Sequence, residues 1–544
     1  MLSIFFYMKN VFLSIMLLLP IFTNAAVFTI YSSGSNGNNL RYYINIASAG
    51  DTIYIDNSLA GITLDTDEIL IEKPLSIFGT MHTQFIERSN LSGTPTFRIF
   101  RFVNCGNVYL KNLEIYGGLT QSINSIPLNG GAMLISDTNC FVHLENCILR
   151  SNKAASGNFV SQPTGWDFPV GGSGGAICNY GKVMLTSCIV HNNRAGKGGV
   201  AYYLVPQNPD GHCLGCPGGK GGAILNFGKA ELLNSTFKDN KAGDGGYFSD
   251  IMGYFSCSGD GGSGGAIYNS QNAELLISNC LFSENSPGTS AYMYNGQGGA
   301  IYNLGNLNIM SSTFSIHNFF DEDNVNNNHN SKAKGSSISV FCSSGSMTTI
   351  SNSILFNSSG GLTPDLQVGD TNSIEISYSL VRRSNLNILQ GENNLYGIDP
   401  LFVSATDHHL SFNSPCINQG NPDGTSLTET DLDGYSRIIE GITDMGAYEF
   451  QGLTETTSVP IGKFNLFPNP SKGNLNINLY GSQIPKFLQV TISNLTGMMI
   501  LQKKFFQPEA TVNIDLSEKI ENGVYVISIS TERNKYIEKL VICK

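Results

Sequence analysis

The stretch GGAILNFGKAELLNSTFKDN, residues 221–240, decides the fold. Ile224, Ala230, Leu232 and Phe237 sit at alternate positions of short segments, and Gly and Asn separate the segments. Alternation of this kind marks half-buried strands, because successive side chains point to opposite faces. Strands this short, with turns this close, cannot bury an apolar face alone.

The same frame returns along the chain. Gly-Gly-Ala plus an apolar residue occurs at Gly130–Met133, Gly174–Ile177, Gly221–Ile224, Gly264–Ile267 and Gly298–Ile301, with a degenerate copy at Gly335–Ile338. The last four full copies run on to Asn179, Asn226, Asn269 and Asn303. Later in each unit come a small residue (Cys147, Cys188, Ser235, Cys280, Ser312) and an apolar one (Leu149, Val190, Phe237, Phe282, Phe314). A second Asn series follows at Asn152, Asn193, Asn240 and Asn285, with Asn318 expected to continue it one position late. Stacking such units buries a continuous core, with parallel strands about 4.8 Å apart and like residues in ladders. The expectation is an all-β chain: a parallel β-helix, followed by a small antiparallel β-sandwich. Cys147, Cys188 and Cys280 share one inward register, where side chains point in parallel, so they read as packed thiols rather than disulfides.

Composition agrees. Charged residues are 13% of 544 and Gly numbers 60, without a collagen period. The net charge of −11 speaks against nucleic acid, whose phosphates need clustered Lys and Arg. It also weighs against acidic polysaccharides unless a cation bridges them.

Residues 1–25 read as a signal peptide: Val11–Phe22 is apolar and Thr23-Asn24-Ala25 offers small residues for cleavage. Met8-Lys9-Asn10 is an alternative start. No later run is long and apolar enough to span a membrane, so the mature chain is expected to lack a transmembrane segment. Residues 27–450 form the solenoid, with an N-terminal cap in which Leu40–Ala47 makes a short amphipathic helix. Residues 451–463 are a linker, and 464–544 carry about seven alternating segments with turns such as Pro468-Asn469-Pro470 and Asn522-Gly523.

Gly-Gly-Ala-Ile with Phe-x-x-Asn, best at Gly221–Ile224 with Phe237–Asn240, resembles the repeat of chlamydial polymorphic outer-membrane proteins. The opening Leu40-Arg41 with Gly50–Ile53, and the closing Asp433–Arg437 with Asp444–Glu449, resemble the choice-of-anchor Q group of bacterial surface β-helices. The tail resembles the type A sorting domain of the type IX secretion system of Bacteroidetes, through Phe467-Pro468-Asn469-Pro470, Gly473, Leu495-Thr496-Gly497, Asn522-Gly523-Val524-Tyr525 and Lys539–Ile542. The resemblances imply a right-handed parallel β-helix, a pectate-lyase-like solenoid, together with export, type IX secretion machinery as partner of the tail, and release or attachment at the cell surface. They are weak guides to activity.

The spacers 153–173, 194–220, 241–263 and 286–297 are long. With the register fixed, they leave the solenoid at one corner and form a ledge. Extra length on one side of a solenoid often marks its binding face. The ledge carries Trp166, Phe168, Tyr202, Tyr203, Tyr247, Tyr254, Tyr292 and Tyr294 among Asp167, Asp210, Asp244, Asp250 and Asp260. Trp166, Tyr202, Tyr203, Asp210, Tyr247, Asp250, Tyr254 and Asp260 are the candidate ligand-binding set, since rings stack on sugars and carboxylates bond their hydroxyls. The plainer account is that the rings pack the loops against one another. The expected role is adhesin-like binding of an extracellular glycan or host surface, without a cofactor.

The rival is a polysaccharide lyase or hydrolase on the same scaffold. Asn-Thr-Asp, Asp-Asp and Gly-His-Gly motifs are absent, and the repeat strands hold almost no Arg. Cys213-Leu214-Gly215-Cys216 in an exported chain reads as a disulfide, Cys213 to Cys216 or one of them to Cys257, rather than as zinc. Asp431-Leu432-Asp433-Gly434 lacks the remaining ligands of a calcium loop and reads as a closing turn.

Overall fold

The computed structural model describes residues 25–544 except 81–83, 124–125, 162–168, 204–214, 251–255, 292, 316, 318–336, 342–344, 358–363, 370–373, 386–390, 422–427, 439–441, 452–463, 480–486, 495–497, 507, 510, 517–519 and 532–534. The signal segment and the linker expected from the sequence fall almost wholly outside these residues.

Each coil contributes one strand to each of three parallel sheets, of eleven (sheet A), eleven (sheet B) and nine strands (sheet C). Within the coil that holds the opening stretch, Ile224–Asn226 lies in sheet C, Lys229–Leu233 in sheet A and Thr236–Lys238 in sheet B. Pairing is in phase, so like residues stack. Ile177, Ile224, Ile267 and Ile301 form one inward ladder, and Leu144, Leu185, Leu232, Ile277 and Ile309 another. In sheet B, Phe237, Phe282 and Phe314 stack nearly parallel at 4.8 and 4.7 Å and are fully buried. This is the parallel β-helix the repeat predicts.

Both Asn ladders form. Asn179, Asn226, Asn269 and Asn303 link amide to amide at 2.8, 2.8 and 2.7 Å, and Asn152, Asn193, Asn240 and Asn285 at 3.0 Å each. All eight are fully buried, where an unpaired amide would be costly. On the next rung the His317 backbone N–H donates to Asn357 Oδ1 at 3.2 Å, and the expected Asn318 lies outside the described residues. The corner after sheet A uses one left-handed residue per coil, Asn146, Ser187, Asn234, Asn279 and Ser311. The corner before sheet C uses the first Gly of each Gly-Gly pair. At Gly221 (φ 64°), a Cβ would lie 2.2 Å from the Ile224 carbonyl oxygen. Cys147, Cys188 and Cys280 are buried free thiols that donate to carbonyls two residues back, at 3.3–3.4 Å.

A helix, α1 (Asn38–Ile46), buries Leu40 and Ile44 into the start of the core, as the amphipathic pattern requires. At the other end, residues 398–450 fold back as a flap over the exterior of the later sheet B strands. Fully buried Arg437 donates to Asn279 Oδ1 (2.5 Å) and to the Ser311 carbonyl (3.2 Å), and Ala447 N donates to Thr313 Oγ1 (2.9 Å). Asp431 accepts from the backbone of Asp433 and Tyr435, making the expected turn.

The spacers leave at one corner, as the register demands. Phe159–Ser161, Val200–Tyr203 and Tyr247–Asp250 pair in parallel, and Ser256–Ser258 adds an antiparallel edge. The root of this ledge is backbone against backbone. Gly196 N donates to Gly172 O, Gly219 N to Gly196 O, Gly243 N to Gly219 O, Gly262 N to Gly243 O and Gly288 N to Gly262 O, at 2.7–2.8 Å. A Cβ on Gly196 would sit 1.7 Å from the Ala155 carbonyl oxygen, so the neck admits only glycine there.

The chain divides into two units, 1–451 and 452–544. The second is a sandwich of a three-stranded and a four-stranded antiparallel sheet, closed over Leu475, Ile477, Val490, Ile492, Ile514, Ile527, Ile529 and Leu540.

Candidate binding face

The flap divides the exterior of sheet B in two. In Leu281–Ser283, Thr313–Ser315 and Ile354–Phe356 every residue is buried. In Ile148–Arg150, Ile189–His191 and Thr236–Lys238 only the middle, inward residue is. The open part therefore runs from the N-terminal coils to the strand of Lys238, where the flap forms an end wall. His408 of the flap is buried against Phe402, ring centroids 5.2 Å apart, within electrostatic reach of Lys238 and Glu284. Beside it His409 bridges Asp407 (2.5 Å) and Asp433 (2.6 Å) and lies over Tyr448.

On this open floor one outward column reads Glu87, Tyr116, Arg150, His191, Lys238, in register from rung to rung. At about 4.8 Å per rung, Tyr116 to Lys238 spans about 14 Å. A second outward column carries Ile148 and the half-exposed Ile189. Round the Asn corner a third column brings Lys153, Arg194 and Lys241 together, at the root of the ledge. The strip thus lines up cations, each of Arg150, Arg194, Lys238 and Lys241 with a carboxylate partner.

The strip is ordered by its own contacts. The Arg150 guanidinium lies 4.0 Å over the Tyr116 ring, and its Nε donates to Glu114. Thr63 Oγ1 donates to Glu87 at 3.0 Å. Burial, with a hydrogen bond to Glu87, pushes the Tyr116 phenol up to about 12. Burial, and then the neighbouring Arg150, hold the His191 imidazole below its ordinary value, so it is neutral at neutral pH. Lys238 pairs with Glu284 (3.2 Å), Arg194 with Asp239 (3.0 Å) and Lys241 with Asp244 (2.9 Å). These pairs are half exposed, where a polyanion can compete for the cation.

The charges on the exterior of sheet A are paired as well. Lys111 pairs with Glu145, Lys182 with Glu231, and Lys229 with Glu231 and Glu274, so its charges cancel from rung to rung. Tyr54, Phe78 and Tyr109 pack edge to face along it, and Tyr109 stacks on His143 at 4.8 Å. Among the described residues no group of His, Cys, Asp and Glu is arranged to hold a metal ion.

Of the ledge residues singled out in the sequence, Tyr247 lies in the column Phe159, Val200, Tyr247; Phe159 is 62% and Tyr247 36% exposed. Tyr202 pairs with Ser161 and Ser249, and Tyr203 with Asp250, in the backbone register of the ledge. Asp260 is exposed and accepts from Tyr294 N at 3.2 Å. Trp166, Asp210, Cys213 and Tyr254 lie outside the described residues, as do the side chains of Tyr202, Tyr203, Asp250 and Cys257. Cys216 is a buried free thiol, Sγ 3.8 Å from the Tyr247 carbonyl. The sequence reading missed the floor column. Its signal was the residue directly after each inward Ile115, Leu149, Val190 and Phe237.

In the second unit the motif residues converge on the last strand, Lys535–Ile542. Asn469, between Pro468 and Pro470, donates to the Lys539 carbonyl (2.7 Å) and accepts from Val541 N (2.9 Å). Leu516 N donates to the Gly473 carbonyl (2.6 Å). Asn522, which precedes Gly523, accepts from the terminal Lys544 N (2.7 Å), and Tyr525 donates to Glu521 O (3.0 Å). Gly497 is outside the described residues.

Ulvan lyase NLR42 of Nonlabens ulvanivorans is 28% identical over 133 residues, which is 22% of this chain and 24% of that protein. The chain thus spans about a quarter of the length of that relative. No helix among the described residues is long and apolar enough to cross a membrane. Residues 465–543 match the family model of the secretion system C-terminal sorting domain, so this is a β-helix protein exported by the type IX system and either secreted or attached at the outer-membrane surface.

Proposed function

We propose that the exported body binds an acidic polysaccharide along the open floor of sheet B, in an adhesin-like role. The ledge forms one wall and the flap closes one end. In this reading residues 1–25 leave on export, 27–450 carry the ligand, and 464–544 address the protein to the secretion machinery. One observation carries it: Arg150, His191 and Lys238 stand in one column beside Lys153, Arg194 and Lys241, with the apolar column of Ile148 and Ile189 along its other side. Regularly spaced cations suit a polymer that repeats an anion, and small apolar patches suit sugar faces. A polyanion would have to displace the carboxylate partners of these cations, which the half-exposed pairs allow. Exposed Phe159 and Tyr247 make the ledge a stacking wall for the same polymer. The partial similarity to a polysaccharide lyase supports a polysaccharide as the ligand class.

The test is retention of the full chain on immobilised polygalacturonate, alginate, ulvan and neutral dextran at rising salt. Retention on an acidic polymer, falling with salt, is expected, with at least about tenfold weakening in Arg150→Ala/Lys238→Ala, since each charge-assisted bond is worth about 1.5–3 kcal/mol. Equal retention on dextran, or no loss in the double variant, refutes it.

A further inference from the structure

The floor column presents a neutral imidazole between two cations, an arrangement that binding alone does not require. Arg150 and His191 are direct register partners, as are His191 and Lys238. A uronate presents, in the same order, a carboxylate, the acidic hydrogen on the adjacent carbon, and the glycosidic oxygen one carbon further. We propose that this column cleaves a uronate-containing polysaccharide by β-elimination, with Arg150 on the carboxylate, His191 as base and Lys238 as acid. The inference rests on the polysaccharide-binding reading above.

The step balances without water or a redox partner. His191 takes the hydrogen from the carbon bearing the carboxylate as a proton. The electron pair left behind forms the carbon–carbon double bond, and the bond from the next carbon to the glycosidic oxygen breaks. The Lys238 ammonium gives that oxygen its proton. One fragment ends in an unsaturated uronate, the other in a new reducing end. Arg150 offsets the charge that builds on the carboxylate as the proton leaves. The proton gained by His191 and the one lost by Lys238 then exchange with solvent.

The surroundings fit these roles. Burial and Arg150 keep His191 unprotonated, as a base must be. The Asn192 amide lies 3.1 Å from His191 Nδ1. As placed, Asn192 Nδ2 faces that nitrogen; with the amide turned over, its carbonyl would accept the Nδ1 proton and leave the lone pair on Nε2 for the substrate. Arg150 is braced by the Tyr116 ring and by Glu114 through Nε, which points its planar fork by two independent contacts. Lys238 is half exposed, with Glu284 at 3.2 Å. Hydrolysis by paired carboxylates is less suited, because Glu87 is held by Thr63 and Tyr116 and Glu114 by Arg150.

The experiment incubates the full chain with polygalacturonate, alginate and ulvan, following the ultraviolet absorbance of unsaturated uronate together with new reducing ends. Both should rise on a polymer that the protein retains. His191→Gln should lower the rate at least about a hundredfold, the lower range of general-base contributions, while retention changes less than about twofold. Lys238→Gln should lower the rate by a larger factor than it lowers retention, which falls as well because Lys238 also holds the polymer, and this second variant guards against a folding artefact in the first. Retention without any unsaturated product overturns the elimination and leaves the binding reading standing; no retention on any polymer overturns both. Equal losses of rate and retention in both variants make them binding groups only and overturn their catalytic assignment.

Discussion

Replacing Asn240 by alanine tests what holds the rungs in phase. The Asn240 side chain is fully buried and makes four bonds. It donates to the Val190 carbonyl (2.9 Å) and Asn285 Oδ1 (3.0 Å), and accepts from Asn193 N (3.1 Å) and Nδ2 (3.0 Å). Not all four are lost at full cost. Asn193 Nδ2 keeps the Leu149 and His191 carbonyls, and Asn285 Oδ1 keeps the Asn240 backbone N–H. One group is orphaned outright, the Asn193 backbone N–H; the Val190 carbonyl keeps its place in the parallel ladder with Thr236–Lys238. At about 1–3 kcal/mol for a buried unsatisfied group, the variant should lose about 2 kcal/mol. Asn193→Ala removes the same inter-rung bond from the other side, so the two single losses should exceed the double variant's by about 1 kcal/mol. Guanidinium unfolding of the full chain, followed by circular dichroism, reads the size; hydrogen exchange at the Val190–Asn193 and Phe237–Asn240 amides reads the place, which matters because stacked repeats do not always unfold as one. Exposed Glu274→Ala is the control, expected within about 0.5 kcal/mol of the parent. If Asn240→Ala falls in the control's range, or the single effects add without coupling, the ladder is decoration and the stacked apolar core alone sets the register.

Gly196→Ala places a methyl 1.7 Å from the Ala155 carbonyl oxygen, between two bonded strands of the neck. It should cost about 3 kcal/mol locally and open the ledge to protease while the dichroism of the coils persists; an unchanged digestion pattern counts against the packed neck. His408 is held neutral, its value lowered by burial to about 4. A lowered histidine contributes stability that is full above the unfolded value near 6.5 and is lost as pH falls toward 4. The stability of the parent relative to His408→Phe should therefore fall by about 3 kcal/mol from pH 7.5 to 4, and a pH-independent difference refutes the buried neutral ring. Asn469→Ala removes both bonds to the last strand of the sorting domain, and should lower the amount of protein at the surface and in the medium while a precursor accumulates in cell extracts; undiminished export shows that clamp to be dispensable.

The coils were legible because a ladder demands the same residue at the same place, and the sequence repeats what the ladder demands. Where residue identity and register part company, register wins. The inward Leu149, Val190, Phe237 and Phe282 each precede a ladder Asn by three positions, and Phe314 precedes His317 by the same three. The core aromatic fixes the backbone, so that position carries a histidine rather than the Asn one place later, and burial lowers His317 to about 3. The flap was illegible for the opposite reason: it has no period, and its anchor joins Arg437 to Asn279 through a bond no local pattern announces. Its footprint was nonetheless written in the coils. The outward residue after each inward one is Tyr116, Arg150, His191 and Lys238 while the floor is open, then Ser283 and Ser315 once the flap covers it. Motifs sought along the chain overlook such a column, because its members lie tens of residues apart and become neighbours only when the polypeptide is wound at a known pitch. In a solenoid a site is spelled across coils, one letter per turn, and the inward ladder supplies the frame in which to read it.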